Sequence, residues 1–111
     1  MPNLPISQIL TFDTELSLAS SSLTGSPVLI GTITNEPVIL MIKNQTSQAV
    51  FISDTNSSTK GTTMAVGEEI VLDCRANNGK ADNMGFPINT SFYATGTSGT
   101  GSIKISILYA K

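Results

Sequence analysis

The chain has 111 residues, of which only 13% are charged and 5% aromatic, with a formal net charge of −2. That length makes one domain, residues 1–111, and the six scattered cations exclude the basic patch of a phosphate-tracking protein, so nucleic acid is not an expected partner. With no histidine and one cysteine, Cys74, an intrachain disulfide framework and the usual zinc sites are excluded as well.

The first residues, MPNLPISQIL, lack a basic n-region and a continuous apolar core, so no secretory signal is expected. No run approaches the ~18 apolar residues of a membrane span, so no membrane is expected either. Pro2 and Pro5 deny residues 1–8 a helix start and predict an extended N-terminal arm. From Ile9 to Leu18, Leu10, Phe12, Leu16 and Leu18 share one phase, interrupted at Thr14, which predicts a strand. Ala19 to Ser26 is a serine-rich link. Pro27 to Thr34 and Pro37 to Asn44 both open with proline and continue in apolar or β-branched residues, as strands whose first residue needs no ladder donor. Val38 to Ile42 is the only run of five consecutive apolar residues. It predicts a strand covered on both faces, either central or buried at a subunit contact.

Ala49 to Ser53 predicts the next strand, followed by the polar turn Asp54 to Lys60, a short run Gly61 to Val66, a turn at Gly67 and a strand Ile70 to Leu72. Arg75 to Gly85 has almost no apolar content and predicts a long surface loop. Asn89 to Thr95 supplies a strand with Phe92 and Ala94 opposite Tyr93. The glycines of Gly96 to Gly101 lead into Ile103, Ile105, Ile107 and Tyr109, the cleanest period-two alternation in the chain. The whole predicts an all-β fold: one small β-sandwich or jelly-roll-like barrel of seven to eight short antiparallel strands.

No catalytic, cofactor-binding or metal-ligating constellation emerges. The Gly96 to Gly101 segment opens a strand, where a P-loop would open a helix through Gly-Lys-Ser/Thr. Asp54 with Asn56, or Asp82 with Asn83, lack the ligand count of a calcium loop and read as turn caps. Glu68 and Glu69, adjacent on a strand, would point to opposite faces and cannot act as a carboxylate pair. Cys74 has no histidine to activate it and reads as a half-buried residue at a strand end. Such cysteine use fits a reducing cytosol. The sequons at Asn44, Asn56 and Asn89 read as turn chemistry.

The stretch from Asn44 to Asp73 holds the strand AVFIS, a Ser/Thr turn, Gly61, the Gly67-Glu68 turn and the strand IVLD. Together with FYATGTSGTGSIKIS from Phe92 to Ser106, it resembles the small all-β virion proteins of tailed bacteriophages. The resemblance covers the C-terminal two-thirds of the chain, and Arg75 to Gly85 is longer than the link it would suggest. It implies a non-enzymatic virion protein, foremost a capsid decoration or cement protein that binds the major capsid protein, assembled in the host cytoplasm and favouring a homotrimer. Residues 1–8 and the Arg75 to Gly85 loop are then the expected contact elements. A head-fibre, neck or tail component stands beside that reading, and so does a small glycan-binding β-sandwich with a groove lined by Tyr93 or Tyr109.

Overall fold

The computed structural model describes residues 9–74 and 85–111. In chain order the strands are β1 (Leu10–Phe12), β2 (Leu16–Ala19), β3 (Val28–Thr32), β4 (Pro37–Thr46), β5 (Val50–Ser53), β6 (Thr62–Met64), β7 (Glu69–Asp73), β8 (Ser91–Thr95) and β9 (Gly101–Ala110), with a short 3-10 turn at Ser20–Ser22. Each strand falls within or beside a run that alternation or β-branching predicted. The 1–8 arm, and all of the Arg75 to Gly85 loop except Gly85, lie outside the described residues.

Two antiparallel sheets form. Sheet A runs β1-β9-β4-β7 with β2 also on β9, and sheet B runs β3-β8-β5-β6. The pairs β5–β6, β4–β7, β3–β8 and β2–β9 are the successive rungs of one long antiparallel ribbon. Successive rungs alternate between the sheets, which is the order of a jelly roll. The all-β sandwich expected from the sequence is therefore the fold observed.

The two long strands, β4 and β9, have ten residues each and lie side by side at the centre of sheet A. Their inner residues Leu40, Ile42, Ile103, Ile105 and Ile107 meet Val50, Ile52, Met64, Phe92 and Ala94 of sheet B in a single core. The predicted faces hold here: Ile103, Ile105 and Ile107 point inward, and Phe92 and Ala94 are buried.

The predicted Ile9 to Leu18 strand is corrected. It breaks at Asp13–Glu15 into β1 and β2, and the break changes phase. Phe12 pairs with Leu108, whereas Leu16 pairs with Ile105; one extra residue on the edge side moves every later side chain to the opposite face. Leu16 and Leu18 pack on the core, while Leu10 and Phe12, in register with Ala110 and Leu108, stand on the outer face.

The side where β2 meets β3 is closed. A Cβ on Gly31 would lie 2.8 Å from Leu16 Cδ2, so the leucine fills the space that a larger residue would occupy. At the other end of the core, buried Asn44 ties the sheets together. Its Nδ2 lies 3.0 Å from the carbonyls of Gln48 and Ala65 and 3.1 Å from that of Met64, and its Oδ1 accepts from Thr46 N at 3.0 Å and Thr46 Oγ1 at 2.6 Å. The expectation of turn chemistry at Asn44 is thus corrected to a core role within β4. Asn89, with φ of 71°, does sit in a turn.

Candidate docking surface

Strand register fixes which side chains share the outer face of sheet A. One cross-strand row runs Phe12–Leu108–Ile39, ending at Asp73 on β7. The next contains Ser106, Met41 and Val71. These rows make an apolar band across the sheet, with Phe12 67% and Val71 56% exposed at its two ends. Single exposed apolar residues are ordinary on a protein surface, but a contiguous band of them marks an interaction site. The five-residue apolar run is the local cause. β4 is central in its sheet, but the expected cover on both faces is corrected: Leu40 and Ile42 are turned into the core, and Ile39 and Met41 are turned out, where no second layer of the described residues covers them.

The third row is polar: Ser17, Lys104, Lys43 and Glu69. Lys43 and Lys104 are direct cross-strand neighbours on the two central strands, a like-charge pairing that ordinarily costs stability. Glu69 on β7 stands beside Lys43, so one carboxylate flanks two ammonium groups. On the opposite edge, Ser106 Oγ donates to Glu15 Oε2 at 3.0 Å, which covers Ser106 although it lies on the outer side. The face thus combines an apolar band, a central cationic pair and acidic edges.

The other candidates are placed as follows. Between the sheets, on the side where β6 and β7 are edge strands, a cavity of about 290 Å³ is lined by Ile42, Ile52, Ile70, Leu72, Phe86 and Phe92, with Ser53, Asp54, Gly61 and Thr62 at its polar part. Its lining offers apolar contact and no nucleophile–base pair. Phe86 and Phe92 meet edge to face with centroids 5.2 Å apart, a favourable aromatic geometry.

Cys74 is half-buried at the end of β7, as expected, and burial pushes its thiol up from the ordinary value, with the carboxylates of Asp73 and Glu36 adding to the effect. A raised thiol is the wrong direction for a nucleophile. Glu68 does not lie on a strand: it sits in the turn before β7, where its Oε1 accepts from Ala65 N at 2.9 Å. The Asp54 to Lys60 turn is capped by hydroxyls, with Thr55 N donating to Ser53 Oγ at 3.0 Å and Lys60 N to Ser57 Oγ at 3.1 Å. Among the described residues no three His, Cys, Asp or Glu side chains gather as a metal site; Asp82 and Asn83 lie outside them. Tyr93 belongs to the outer face of sheet B, whereas Tyr109 packs against the core from sheet A, so the two share no groove.

Neither the apolar band nor the lysine pair was singled out from the sequence. The band's signal was present in the run Val38 to Ile42, but Phe12 and Leu108 join it only through register. Among the described residues no helix is long and apolar enough to cross a membrane. No protein-family model matches the chain, and no curated protein or solved structure is significantly similar to it.

Proposed function

We propose that the chain is a structural protein of a bacteriophage virion, a capsid decoration protein that docks on the shell through the outer face of sheet A. The observation that carries this reading is the apolar band Phe12–Leu108–Ile39 with Met41 and Val71, which crosses β1, β9, β4 and β7, half-buried at its centre and exposed at Phe12 and Val71. Burying such a band against another protein stabilises a contact by roughly 25 cal/mol per Å² of apolar surface before the costs of association. The jelly-roll order supports the reading further, since viral capsid domains are among the users of that architecture. The fold alone also serves lectins, so the function rests on the surface rather than on the topology.

The test is cryo-electron microscopy and mass spectrometry of particles of the phage that encodes the chain. Stoichiometric density on the shell, with sheet A against it, is the expected result. A few copies at a neck or fibre would move the chain to another part of the virion. Its absence from particles would overturn the reading.

A further inference from the structure

We infer that the open edge of β7 takes up residues 3–7 of a second copy of the chain as an added strand, with Leu4 and Ile6 entering the cavity between the sheets. Such a contact between copies goes beyond the docking role proposed above and does not depend on it.

β7 ends the strand order of sheet A and β6 ends that of sheet B. The flank that holds the cavity of about 290 Å³ therefore has no strand beside it among the described residues. Cys74 N donates to Val38 O, and Glu68 O accepts from Asn44 N, so both face β4. Bonding alternates along a strand, which turns the backbone groups of Ile70 and Leu72 to β4 as well and those of Glu69 and Val71 to the free edge. Leu72 pairs with buried Leu40 and so faces inward, yet it is 36% exposed. An inward apolar row thus lies uncovered at its edge, beside backbone groups that can bond a further strand.

Residues 3–7, NLPIS, carry the pattern that fits. Leu4 and Ile6 alternate with Asn3, Pro5 and Ser7, as in a half-buried strand. In a parallel addition, Leu4 stands level with Ile70 and Ile6 with Leu72. Both side chains then point inward, and both backbones bond the outward groups of Glu69 and Val71. Pro5 falls on the outer side, and its missing N–H faces the free edge, where a strand tolerates proline. An antiparallel addition with the same faces would set Pro5 against Val71 and lose that bond. Pro2 falls in the bonding phase and ends the strand before Asn3.

The segment cannot come from the same copy. Ile9 O accepts from Lys111 N, which holds Ile9 beside the end of β9. A strand added outside β7 lies four strand spacings from β1, about 19 Å. From Ser7 to Ile9 the chain reaches only about 7 Å. Each copy therefore gives one segment and accepts one, reciprocally in a two-fold dimer or head to tail in a closed ring.

Sedimentation velocity of the full chain tests this. Wild type is expected to associate, and Leu4→Asp/Ile6→Asp to stay monomeric. Val71→Pro removes an outward N–H from the edge and is expected to stay monomeric too. Mixed, the two variants are expected to recover a one-to-one dimer, at higher concentration than wild type requires, because one keeps the edge and the other the segment. Monomeric wild type overturns the inference, as does association that survives Leu4→Asp/Ile6→Asp, or a mixture that forms no dimer. Circular dichroism checks that Val71→Pro folds. If it does not, Pro5→Cys/Val71→Cys in a Cys74→Ser background takes its place, since level residues on neighbouring strands lie within disulfide reach. Oxidation is expected to join two copies; a bond within one copy, or none, overturns the inference. Failure here leaves the chain's place in a particle untouched, and absence from particles leaves this contact untouched.

Discussion

The side-chain nitrogen of Asn44, on β4 of sheet A, lies 3.1 Å from the carbonyl oxygen of Met64, on β6 of sheet B. Asn44 is fully buried, and its amide joins the two sheets by a polar contact within the core. Its backbone is engaged as well: Asn44 N donates to Glu68 O and Gly67 N donates to Asn44 O, both at 2.9 Å. One residue therefore holds the β6–β7 turn against β4.

Replacing Asn44 by alanine leaves the carbonyls of Met64 and Ala65 without that donor in the interior. The expected loss is about 3 kcal/mol of unfolding free energy, from several hydrogen bonds removed and acceptors left unpaired. Asn44→Asp is expected to lose more, because a carboxylate would face those carbonyls without compensation. Urea denaturation of both variants measures the difference.

Two glycines with positive φ separate backbone strain from steric conflict. Gly67 has φ of 78° and nothing within 4 Å of an added Cβ, whereas Gly101 has φ of 83° and its Cβ would run into the backbone of Gln45. Gly67→Ala is expected to cost about 1–2 kcal/mol from the left-handed conformation alone. Gly101→Ala adds a clash with fixed backbone at the start of β9, so its cost is expected to exceed that of Gly67→Ala by at least ~2 kcal/mol. Parallel thermal and urea melts decide the ranking.

The Cys74 thiol provides a pH readout. Its neutral form is favoured in the fold, so below the ordinary thiol value its contribution to stability is fully present. That contribution is lost as pH rises from the unfolded value of 9.0 through the higher folded one. Alkylation by iodoacetamide is expected to have a pH profile displaced to the alkaline side relative to the chain in urea. A profile displaced to the acidic side would contradict the burial of this residue.

The apolar band is expected to serve contact rather than stability. Phe12→Ser and Val71→Ser change side chains that are mostly in solvent, so unfolding free energy should move by no more than about 0.5 kcal/mol each. On the proposed virion role, occupancy on particles is expected to fall by at least about tenfold with Phe12→Ser, as for the loss of an aromatic anchor, and by less with Val71→Ser. Quantitative mass spectrometry of particles from mutant phage, beside urea melts of the purified variants, separates the two effects.

What the sequence by itself determined is local. Ile103, Ile105 and Ile107 alternate with Lys104, Ser106 and Leu108, and a period of two assigns faces without knowledge of any partner strand. Phe92 and Ala94 were legible for the same reason, the Gly67 turn from its glycine and the central place of Val38 to Ile42 from its unbroken apolar run, and the all-β sandwich from their sum. The interruption at Thr14 was visible too. Its consequence was not, because whether a break preserves or inverts phase depends on how many residues the neighbouring strand advances across it. Only the pairing of Phe12 with Leu108 and of Leu16 with Ile105 decided that Phe12 faces solvent while Leu16 fills the space beside Gly31. Tertiary structure alone likewise set Lys43 beside Lys104, residues with no local signal linking them. It also turned Asn44 from a turn residue into the inter-sheet tie. Charge at a face and polarity in a core belong to register and burial, which pairwise contacts between distant parts of the chain create and short-range alternation does not encode.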